Sequence, residues 1–342
     1  MSIVNTIKIL KIKSLGFIAL AVLTLCACAV QAPPVAPEGT STGAKTKIRL
    51  PMGYIPNVQF APYYVALSKG YFAAEGIDLA FDYKFETDGV KLVGAGELPF
   101  AVVSGEQVVL ARAQGLPVKY FAEWYREFPI AVFFPHGKDI HIPGDLKGKT
   151  VGLPGFFGAT FVGWKAFANA AGLKDGDVTL KDIGFTQAAA VQQGKVDAAV
   201  GYINNEPIVL KQNGFDVDTF PVGKTFDMVA NGLLTNDKTL KDNPALVRGM
   251  ARAVLKGVTD TIANPDEAMQ LATKYVEGLK TSDPTQKQVL LATIALMNAK
   301  SGDKLGQSSP QAWENTQTTL VSMGLIKQKL DVNEYYTNAF LP

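Results

Sequence analysis

A loop near residue 55 of the sequence concentrates side chains that can bind a flat molecule. The stretch GYIPNVQF places Tyr54, Asn57 and Gln59 around Pro56. A tyrosine ring can lie against a flat ligand, and amides can exchange hydrogen bonds with the ligand's edge. Proline stiffens the loop, which limits the conformational entropy that binding costs. We therefore predict that this loop forms one wall of a small-molecule site.

Four other segments carry aromatic or polar side chains directly after a predicted strand. In open α/β sheets, ligands bind beyond the carboxyl ends of the strands. These segments are therefore expected to converge with the first loop on one cleft. The candidate ligand-binding residues that they supply are Ser104, Glu106, Trp124, Tyr125, Phe156, Phe157, Thr160, Tyr202, Asn204 and Glu206.

Packing and capping offer a second interpretation of these residues. Any one of the aromatic side chains can belong to the core instead, and Phe60 is the weakest candidate. Asn204 and Glu206 can instead cap a helix that begins at Pro207. The Gly-rich turn PGFFGAT can hold an anion on helix N–H groups. The two phenylalanines at its centre favour an aromatic wall with N–H groups facing a neutral acceptor.

The sequence offers little for catalysis. Its only histidines are His136 and His141, in a loop-like stretch, and neither an HExxH nor a GxSxG motif occurs. Beyond Cys28 there is no cysteine, so neither a disulfide nor a thiolate metal site is expected in the fold. We predict no catalytic residue, no metal and no cofactor.

The charged residues favour a neutral ligand. Only one of the arginines, Arg126, falls in a predicted cleft loop, whereas anionic ligands usually call for firm pairing with arginine. The formal net charge is +2, and it falls to −1 once the three lysines before residue 14 are removed. Nothing basic then remains to bind phosphate backbones, which argues against nucleic acid as a partner.

The first 27 residues have the organisation of a signal peptide for export. Lysines precede an apolar run from Leu15 to Leu25, which is too short to span a bilayer comfortably. The LCAC that follows places Cys28 where bacterial lipoprotein signals carry the lipidated cysteine. An ordinary signal peptide cleaved near Ala29 is the alternative. Residues 28–46 are rich in Pro, Gly, Ser and Thr, and they are predicted to form a flexible tether from the membrane.

Strand-like and helix-like segments alternate after the tether, which predicts an α/β fold with mostly parallel sheets. The predicted strands include IAVFF, VTLKDIGF and NGLLTND, and one predicted helix covers APYYVALSKGYFAAEG. A stretch rich in Gly and Pro, PHGKDIHIPGDLKG, separates two such sets. We predict a first lobe over residues 47–133, a second lobe over 134–230, and a completion of the first lobe with C-terminal helices over 231–342. Asn-Pro, Asp-Pro and Ser-Pro pairs mark the starts of those helices. The chain thus crosses twice between two lobes that enclose a cleft.

Several segments of the chain resemble a known family. The resemblance is carried by IPNVQFAPYYVALSKGYFAAEGID, DLKGKTVGLPG, VQQGKVDAAVGYINNEP and GLLTND. They resemble the type II solute-binding proteins of ABC importers, in the branch that binds riboflavin and thiamine-pyrimidine precursors. The sulfonate- and nitrate-binding proteins are similar more distantly. The resemblance implies a two-lobed periplasmic-binding-protein fold that closes on its solute outside the cytoplasm, as a monomer, and then docks on a membrane permease with its ATPase.

Departures from the family pattern bear on the ligand. Pyrimidine binders have Trp-Phe-Pro-Asn and then His in the first loop, whereas this chain starts that loop with Tyr54 and has Gln59 near the histidine position. The loops also offer more aromatic surface than one pyrimidine ring covers. Riboflavin is therefore the first-ranked solute, and a thiamine pyrimidine precursor is the alternative. An enzyme of pyrimidine synthesis is the alternative from another functional class, because such enzymes share the fold. These enzymes carry a cysteine-rich motif and an active-site histidine, and this chain lacks both.

We predict that Cys28→Ala releases the protein from membranes. The reason is that acyl chains anchor a protein with about 0.8 kcal/mol per buried methylene. Cys26→Ala is the matched control and should stay bound, because the bulky Leu25 before Cys26 makes it a poor lipidation site. Membrane fractionation with mass spectrometry of the N-terminal peptide tests both. A Cys28→Ala protein that stays on the membrane with its acyl mass would contradict the lipoprotein assignment.

Overall fold

The computed structural model describes residues 44–298 and 304–342. The predicted signal peptide, Cys28 and nearly all of the predicted tether lie outside these residues. Within the described part of the chain, no helix is both long enough and apolar enough to cross a bilayer. Strands and helices alternate as far as residue 236, and helices follow.

The elements are named in chain order. The strands are β1 Thr46–Pro51, β2 Ile77–Asp82, β3 Ala101–Ser104, β4 Val118–Glu123, β5 Ile130–Pro135, β6 Thr150–Leu153, β7 Thr179–Asp182, β8 Ala198–Tyr202, β9 Val217–Pro221 and β10 Asn231–Asn236. The α-helices are α1 Ala61–Ser68, α2 Tyr71–Ala74, α3 Glu86–Gly94, α4 Gly105–Ala113, α5 Gly158–Ala170, α6 Gln187–Gln192, α7 Glu206–Gln212, α8 Asp237–Asp242, α9 Pro244–Ala263, α10 Pro265–Ala272, α11 Pro284–Met297 and α12 Pro310–Ser322.

Two small sheets belong to the first lobe. β1 and β2 pair in parallel, with Thr46 opposite Ile77. β10 lies between β3 and β4 and runs antiparallel to both. β3 and β10 are buried along their whole length, as expected of strands with both faces covered.

A five-stranded sheet forms the second lobe, in the order β7-β6-β8-β5-β9. β6 is parallel to β7 and β8, whereas β5 is antiparallel to β8 and β9. Four of the five strands therefore run in one direction, as the prediction of mostly parallel sheets requires, and only β5 opposes them. In each lobe the opposing strand, β5 or β10, is the one that arrives from the other lobe.

One predicted lobe boundary is wrong. The first lobe was predicted to end at residue 133, which places nearly all of IAVFF, residues 130–134, in that lobe. β5 instead pairs with β8 and β9, so the first crossing lies between Glu123 and Ile130. A wholly apolar strand suits the centre of either sheet, and only its pairing partners distinguish the two positions. The remaining lobe limits stay predictions.

The helix predicted over APYYVALSKGYFAAEG is two helices. α1 ends at Ser68 and α2 begins at Tyr71. Gly70, between them, has φ +75°, a left-handed conformation that ends helices and that glycine adopts without steric cost. The chain therefore turns at this point.

Two elements were not predicted from the sequence. α3 is short, contains Gly89, and starts after Phe85, which offers no capping side chain. β9 is a short strand whose side chains are mostly only half-buried. Neither segment has the periodic apolar pattern that identifies an element in a sequence. The failure to predict α3 matters more than the failure to predict β9, because the first turn of α3 contributes to the cleft.

The starts of the C-terminal helices were predicted correctly. α9, α10, α11 and α12 each begin at the proline of a capping pair. The side chains of Asn243, Asn264 and Asp283 accept hydrogen bonds from backbone N–H groups in the first turn. Ser309 makes no such bond, so the proline alone marks the start of α12.

α9 packs against α1 at very short range. Met250, Val254 and Val258 form its buried stripe, and Gly257 lies on the same helix. A Cβ atom at position 257 would overlap the backbone carbonyl oxygen of Pro62. The two helix backbones can approach this closely only because residue 257 has no side chain.

We predict that Gly257→Ala destabilises the protein. The added methyl group forces the two helices apart, and overpacking of this kind costs about 1–3 kcal/mol, more than the roughly 1 kcal/mol that alanine gains over glycine within a helix. Urea denaturation measures the free energy of unfolding. Gly144→Ala is the control, because a methyl group at that position would have its nearest neighbouring atom 4.0 Å away. Equal losses in both variants would contradict the close approach.

Candidate functional site

A cavity of about 80 Å³ lies between the two lobes. The first lobe lines it with Met52, Gly53, Tyr54, Gln59, Phe60, Phe85, Glu86, Val102, Trp124, Tyr125 and Asn231. The second lobe lines it with Pro154, Phe157, Gly158, Ala159, Thr160, Phe185, Gln187, Tyr202, Asn205 and Glu206. Ligand pockets usually measure roughly 300–1,000 Å³, so a vitamin-sized molecule needs the lobes to move apart.

The predicted ligand-binding residues divide into two groups. Those that line the cavity are Tyr54, Gln59, Trp124, Tyr125, Phe157, Thr160, Tyr202 and Glu206. Those that lie elsewhere are Asn57, Ser104, Glu106, Phe156 and Asn204. The predicted convergence of the loops is therefore seen, while contact of any residue with a ligand stays a prediction.

The first loop contributes the Tyr54 ring and the Gln59 amide to the cavity. The Tyr54 hydroxyl donates to Glu206 Oε1 at 3.4 Å, and the Tyr54 ring meets Phe185 edge-on at 4.7 Å between centroids. Asn57 instead accepts a hydrogen bond from the backbone N–H of Gln59. It caps the short 3-10 helix that follows, so its amide is used inside the loop.

Aromatic side chains of both lobes meet at the cavity. Phe85 of the first lobe lies 5.1 Å from Phe157 and 5.0 Å from Phe185 of the second, between ring centroids. Phe85 and Phe157 are 37% and 39% exposed, so part of each ring is free to contact another molecule. Phe156 points away from the cavity and lies 6.2 Å from Phe161. The neighbouring phenylalanines of PGFFGAT thus have different surroundings.

Trp124 is more enclosed than the sequence predicted. Its ring stacks on Phe60 at 5.6 Å and lies 4.1 Å from the ring of Tyr125. Only 3% of Trp124 is exposed. Trp124 and Phe60 line the cavity but pack mainly against each other, so the core interpretation applies to them in large part.

Asn204 joins the two lobes. Its Nδ2, which carries two hydrogens, lies within hydrogen-bond distance of Gln59 Oε1 at 2.9 Å, Thr293 Oγ1 at 2.8 Å and the Tyr125 hydroxyl at 3.3 Å. All three partners belong to the first lobe, whereas Asn204 follows β8 of the second. It is neither a wall residue nor the cap of α7, which is Asn205. Its buried amide holds the lobes in this arrangement.

Glu206 presents a buried carboxyl group to the cavity. The backbone N–H of Tyr202 donates to its Oε2 at 2.8 Å, and Asn205 Nδ2 donates to its Oε1 at 3.1 Å. Burial raises the pKa of this carboxyl above its usual value. Burial and the nearby Glu206 charge also raise the pKa of the Tyr54 phenol, so Tyr54 stays a hydrogen-bond donor.

A second carboxyl group at the cavity was not predicted. Glu86, the first residue of α3, lines the wall, whereas Ser104 and Glu106 lie buried behind it. The Ser104 N–H and hydroxyl contact Glu86 Oε1 at 2.8 and 2.5 Å, and the same hydroxyl contacts Glu106 Oε1. Burial, and then the charge of Glu86, raise the pKa of Glu106 to about 8.

Basic side chains are absent from the cavity wall as described by residues 44–298 and 304–342. The predicted cleft arginine, Arg126, is buried away from it and donates from Nη1 to the backbone oxygen of Lys304 at 3.0 Å. No group of His, Cys, Asp and Glu able to hold a metal ion occurs among the same residues. The wall is thus aromatic and acidic.

Several wall residues were missed by the sequence analysis. The polar and aromatic ones are Phe85, Glu86, Phe185, Gln187, Asn205 and Asn231. Phe185 and Gln187 follow β7, a strand that was predicted, so the rule that sites form after strands would have found them. Phe85 and Glu86 carried no such signal, because α3 was not predicted.

Comparison with known proteins gives the family. The NMT1/THI5 like family matches residues 57–268. The chain belongs to this family. It is 39% identical over 346 residues to a riboflavin-binding protein, RibY, of Chloroflexus aurantiacus, covering 97% of this chain and 98% of that protein. It is 29% identical over 327 residues to a formylaminopyrimidine-binding protein of Halalkalibacterium halodurans, covering 93% and 96%.

Solved structures of other binding proteins share the fold of this chain. The periplasmic aliphatic sulphonate binding protein of Escherichia coli superposes with a TM-score of 0.66 at 15% identity, over 84% of this chain and 91% of that chain. The predicted two-lobed binding-protein fold is therefore confirmed. At this level of identity the likeness concerns the fold alone. The solute-binding role is supported by the riboflavin-binding protein that is 39% identical to this chain.

We predict that Glu106→Gln flattens the pH dependence of stability. An unfolded glutamate loses its proton near pH 4.5, whereas folded Glu106 keeps its proton to about pH 8. Because the folded state binds more protons in this range, the free energy of unfolding falls as pH rises from about 4.5 to about 8. The variant lacks this contribution. Urea denaturation at a series of pH values measures the slope.

The exposed Glu97 supplies the control for this measurement. Glu97→Gln removes a carboxyl group of the same type without removing a buried one, so its slope should match that of the unmodified protein. An unchanged slope in Glu106→Gln would show that Glu106 titrates as an ordinary surface glutamate.

Proposed function

We propose that this protein is the solute-binding component of an ABC importer and that its solute is riboflavin. The observation that carries the proposal is the meeting of Tyr54 and Phe85 of one lobe with Phe157 and Phe185 of the other around a single cavity. A flat, multi-ring solute entering between these side chains contacts both lobes at once. Binding of such a solute thereby favours the closed arrangement.

The aromatic wall supplies affinity for a fused ring system. Aromatic pairs contribute about 0.5–1.5 kcal/mol each beyond the burial of apolar area. Phe85 and Phe157 keep more than a third of their surface exposed, whereas Trp124 is already covered on the protein side by Phe60. The half-exposed phenylalanines are therefore the expected stacking partners, with Trp124 as their support.

The polar part of the wall suits a neutral ligand with N–H and O–H groups. Glu86 and Glu206 can accept hydrogen bonds, and Thr160, Gln187 and Asn205 add neutral partners at the same cavity. A flavin offers an imide N–H and the hydroxyls of its sugar-alcohol chain. With two carboxyl groups and no basic group on the described wall, a phosphate ester would be repelled.

Two comparisons support riboflavin over a pyrimidine precursor. The chain is 39% identical to the riboflavin-binding protein and 29% identical to the formylaminopyrimidine-binding protein, over nearly full length in both cases. The first loop, with Tyr54 and Gln59, also departs from the pyrimidine pattern. The second candidate solute is the pyrimidine, since its binder is a relative of comparable coverage.

The rest of the proposal concerns the place of action. We propose that the protein works as a monomer outside the cytoplasm, held on the membrane by lipid on Cys28. In its closed state the protein would deliver the solute to a membrane permease, which works with an ATPase of the same importer. The relatives named as binding proteins and the binding-protein fold support this. A binding role also means that the protein returns its ligand chemically unchanged.

We predict micromolar or tighter binding of riboflavin, with quenching of flavin fluorescence as the ring stacks on the phenylalanines. The soluble fragment without the first 28 residues is titrated with riboflavin, flavin mononucleotide and an aminopyrimidine thiamine precursor. Phe157→Ala should raise the Kd for riboflavin roughly three- to tenfold, since it removes one aromatic contact. Flavin mononucleotide should bind more weakly than riboflavin.

Phe156→Ala is the matched control for this titration. It removes the same ring from the adjacent residue, which does not line the cavity, so its Kd should equal that of the unmodified protein. Tight binding of the aminopyrimidine without flavin quenching would overturn the ranking of solutes. Recovery of a chemically altered ligand would show an enzyme instead.

A further inference from the structure

A single hydroxyl group lies between two buried carboxyl groups beside the cavity. Ser104 Oγ contacts Oε1 of Glu86 at 2.5 Å and also contacts Oε1 of Glu106. A serine hydroxyl has one hydrogen and can donate to only one of them. The other contact joins two oxygens without a hydrogen unless a carboxyl group supplies one. The cluster therefore contains one carboxyl proton.

The surroundings assign that proton to Glu106. Glu106 is wholly buried, and its Oε2 has no hydrogen-bond partner among the described residues. An unpartnered oxygen is far less costly on a neutral carboxyl than on a buried charge. Glu86 Oε1, in contrast, receives the backbone N–H of Ser104 at 2.8 Å as well as the hydroxyl. Burial raises the pKa of Glu86, and these two donors oppose that rise because they stabilise the ionised form.

We propose that Glu86 is a specificity-determining residue that accepts a hydrogen bond from a ligand N–H. Glu106 is a positioning residue: it holds the proton of the cluster, so Glu86 stays ionised, and Ser104 between them keeps the Glu86 carboxylate aligned. The inference rests on the proposed function, since it assigns the acceptor within the same cavity. Glu86 Oε1 is occupied by Ser104, so Oε2 is the oxygen available to a ligand on the cavity side. A neutral, N–H-bearing heterocycle such as the flavin imide is the class of ligand selected.

The charged and titratable neighbours of the pair determine how binding varies with pH. Tyr120 of β4 and Tyr202 of β8 interact with both carboxyl groups, and burial keeps the pKa of each phenol well above its usual value, so both stay neutral. Glu206 lies on the opposite wall of the cavity. Raising the pH through about 8 removes the proton of Glu106. Two adjacent anions then repel each other across Ser104, and Glu86 loses its alignment.

The experiment measures the Kd for riboflavin between pH 6 and 10 in three proteins. In the unmodified protein the affinity should fall as pH rises past about 8. Glu106→Gln keeps the hydrogen-bond donor that the protonated acid supplies but cannot ionise, so its affinity should stay level over that range. Glu86→Gln should weaken binding about tenfold or more at every pH, as loss of a charged acceptor does.

The Glu106→Gln and Glu86→Gln variants distinguish proton sharing between the two carboxyl groups from other causes of a pH-dependent affinity. Ionisation of the riboflavin itself would produce the same fall above pH 8 in Glu106→Gln, and that result would overturn the proposal. So would normal affinity in Glu86→Gln. Glu97→Gln, an exposed glutamate outside the cavity wall, is the control and should keep both the affinity and the pH dependence of the unmodified protein.

A measurement without ligand distinguishes failure of this inference from failure of the proposed function. The infrared spectrum of the unmodified protein at pH 7 should contain the carbonyl band of a protonated carboxyl group, and the band should vanish at pH 10 and in Glu106→Gln. Its absence at pH 7 overturns the proton-sharing arrangement whichever ligand binds. If riboflavin binds at no pH, the proposed function is wrong. The infrared band alone then decides whether Glu86 and Glu106 share a proton through Ser104.

Discussion

Two buried strands that cross between the lobes determine where a ligand can bind. β5 and β10 each lie inside the sheet of the lobe that they enter, antiparallel to both neighbours. Strands anchored in this way cannot slide, because a shift would break the hydrogen bonds to both neighbours and disturb the close packing on both faces. Any motion between the lobes would therefore be confined to the connections before β5 and β10. The cavity lies between the lobes, so such a motion would open it.

The sequence predicted the parts of the fold that have strong local signals. Apolar runs identified β5 and β10, and Asn-Pro or Asp-Pro pairs identified the starts of α9, α10 and α11. α3 was missed because its sequence, ETDGVKLVG, includes a glycine and lacks a capping residue. Its stability comes from packing against β3 and neighbouring elements, which no local pattern reveals. The cavity residues at its start were missed for the same reason.

Prediction of the site was limited by the direction of side chains. Position after a strand indicated the correct loops, yet it could not distinguish Phe157, which faces the cavity, from Phe156, which does not. Ser104 ends β3 and Glu106 follows it, but both are buried outside the cavity wall. A loop residue can turn either way, and the choice depends on partners such as Glu86 that are distant in sequence. Only the assembled fold supplies those partners.

The acidic character of the cavity follows from the helices around it. Glu86, Glu106 and Glu206 each occupy the first turn of a helix, in α3, α4 and α7. The N-terminal end of a helix carries partial positive charge, which offsets part of the cost of burying a carboxylate. The fold can thus hold acidic groups beside an aromatic wall without arginine or lysine. A wall of this kind would attract hydrogen-bond donors and repel anions, so the helix ends that make the buried carboxyl groups tolerable also favour the neutral, donor-bearing solute that we propose.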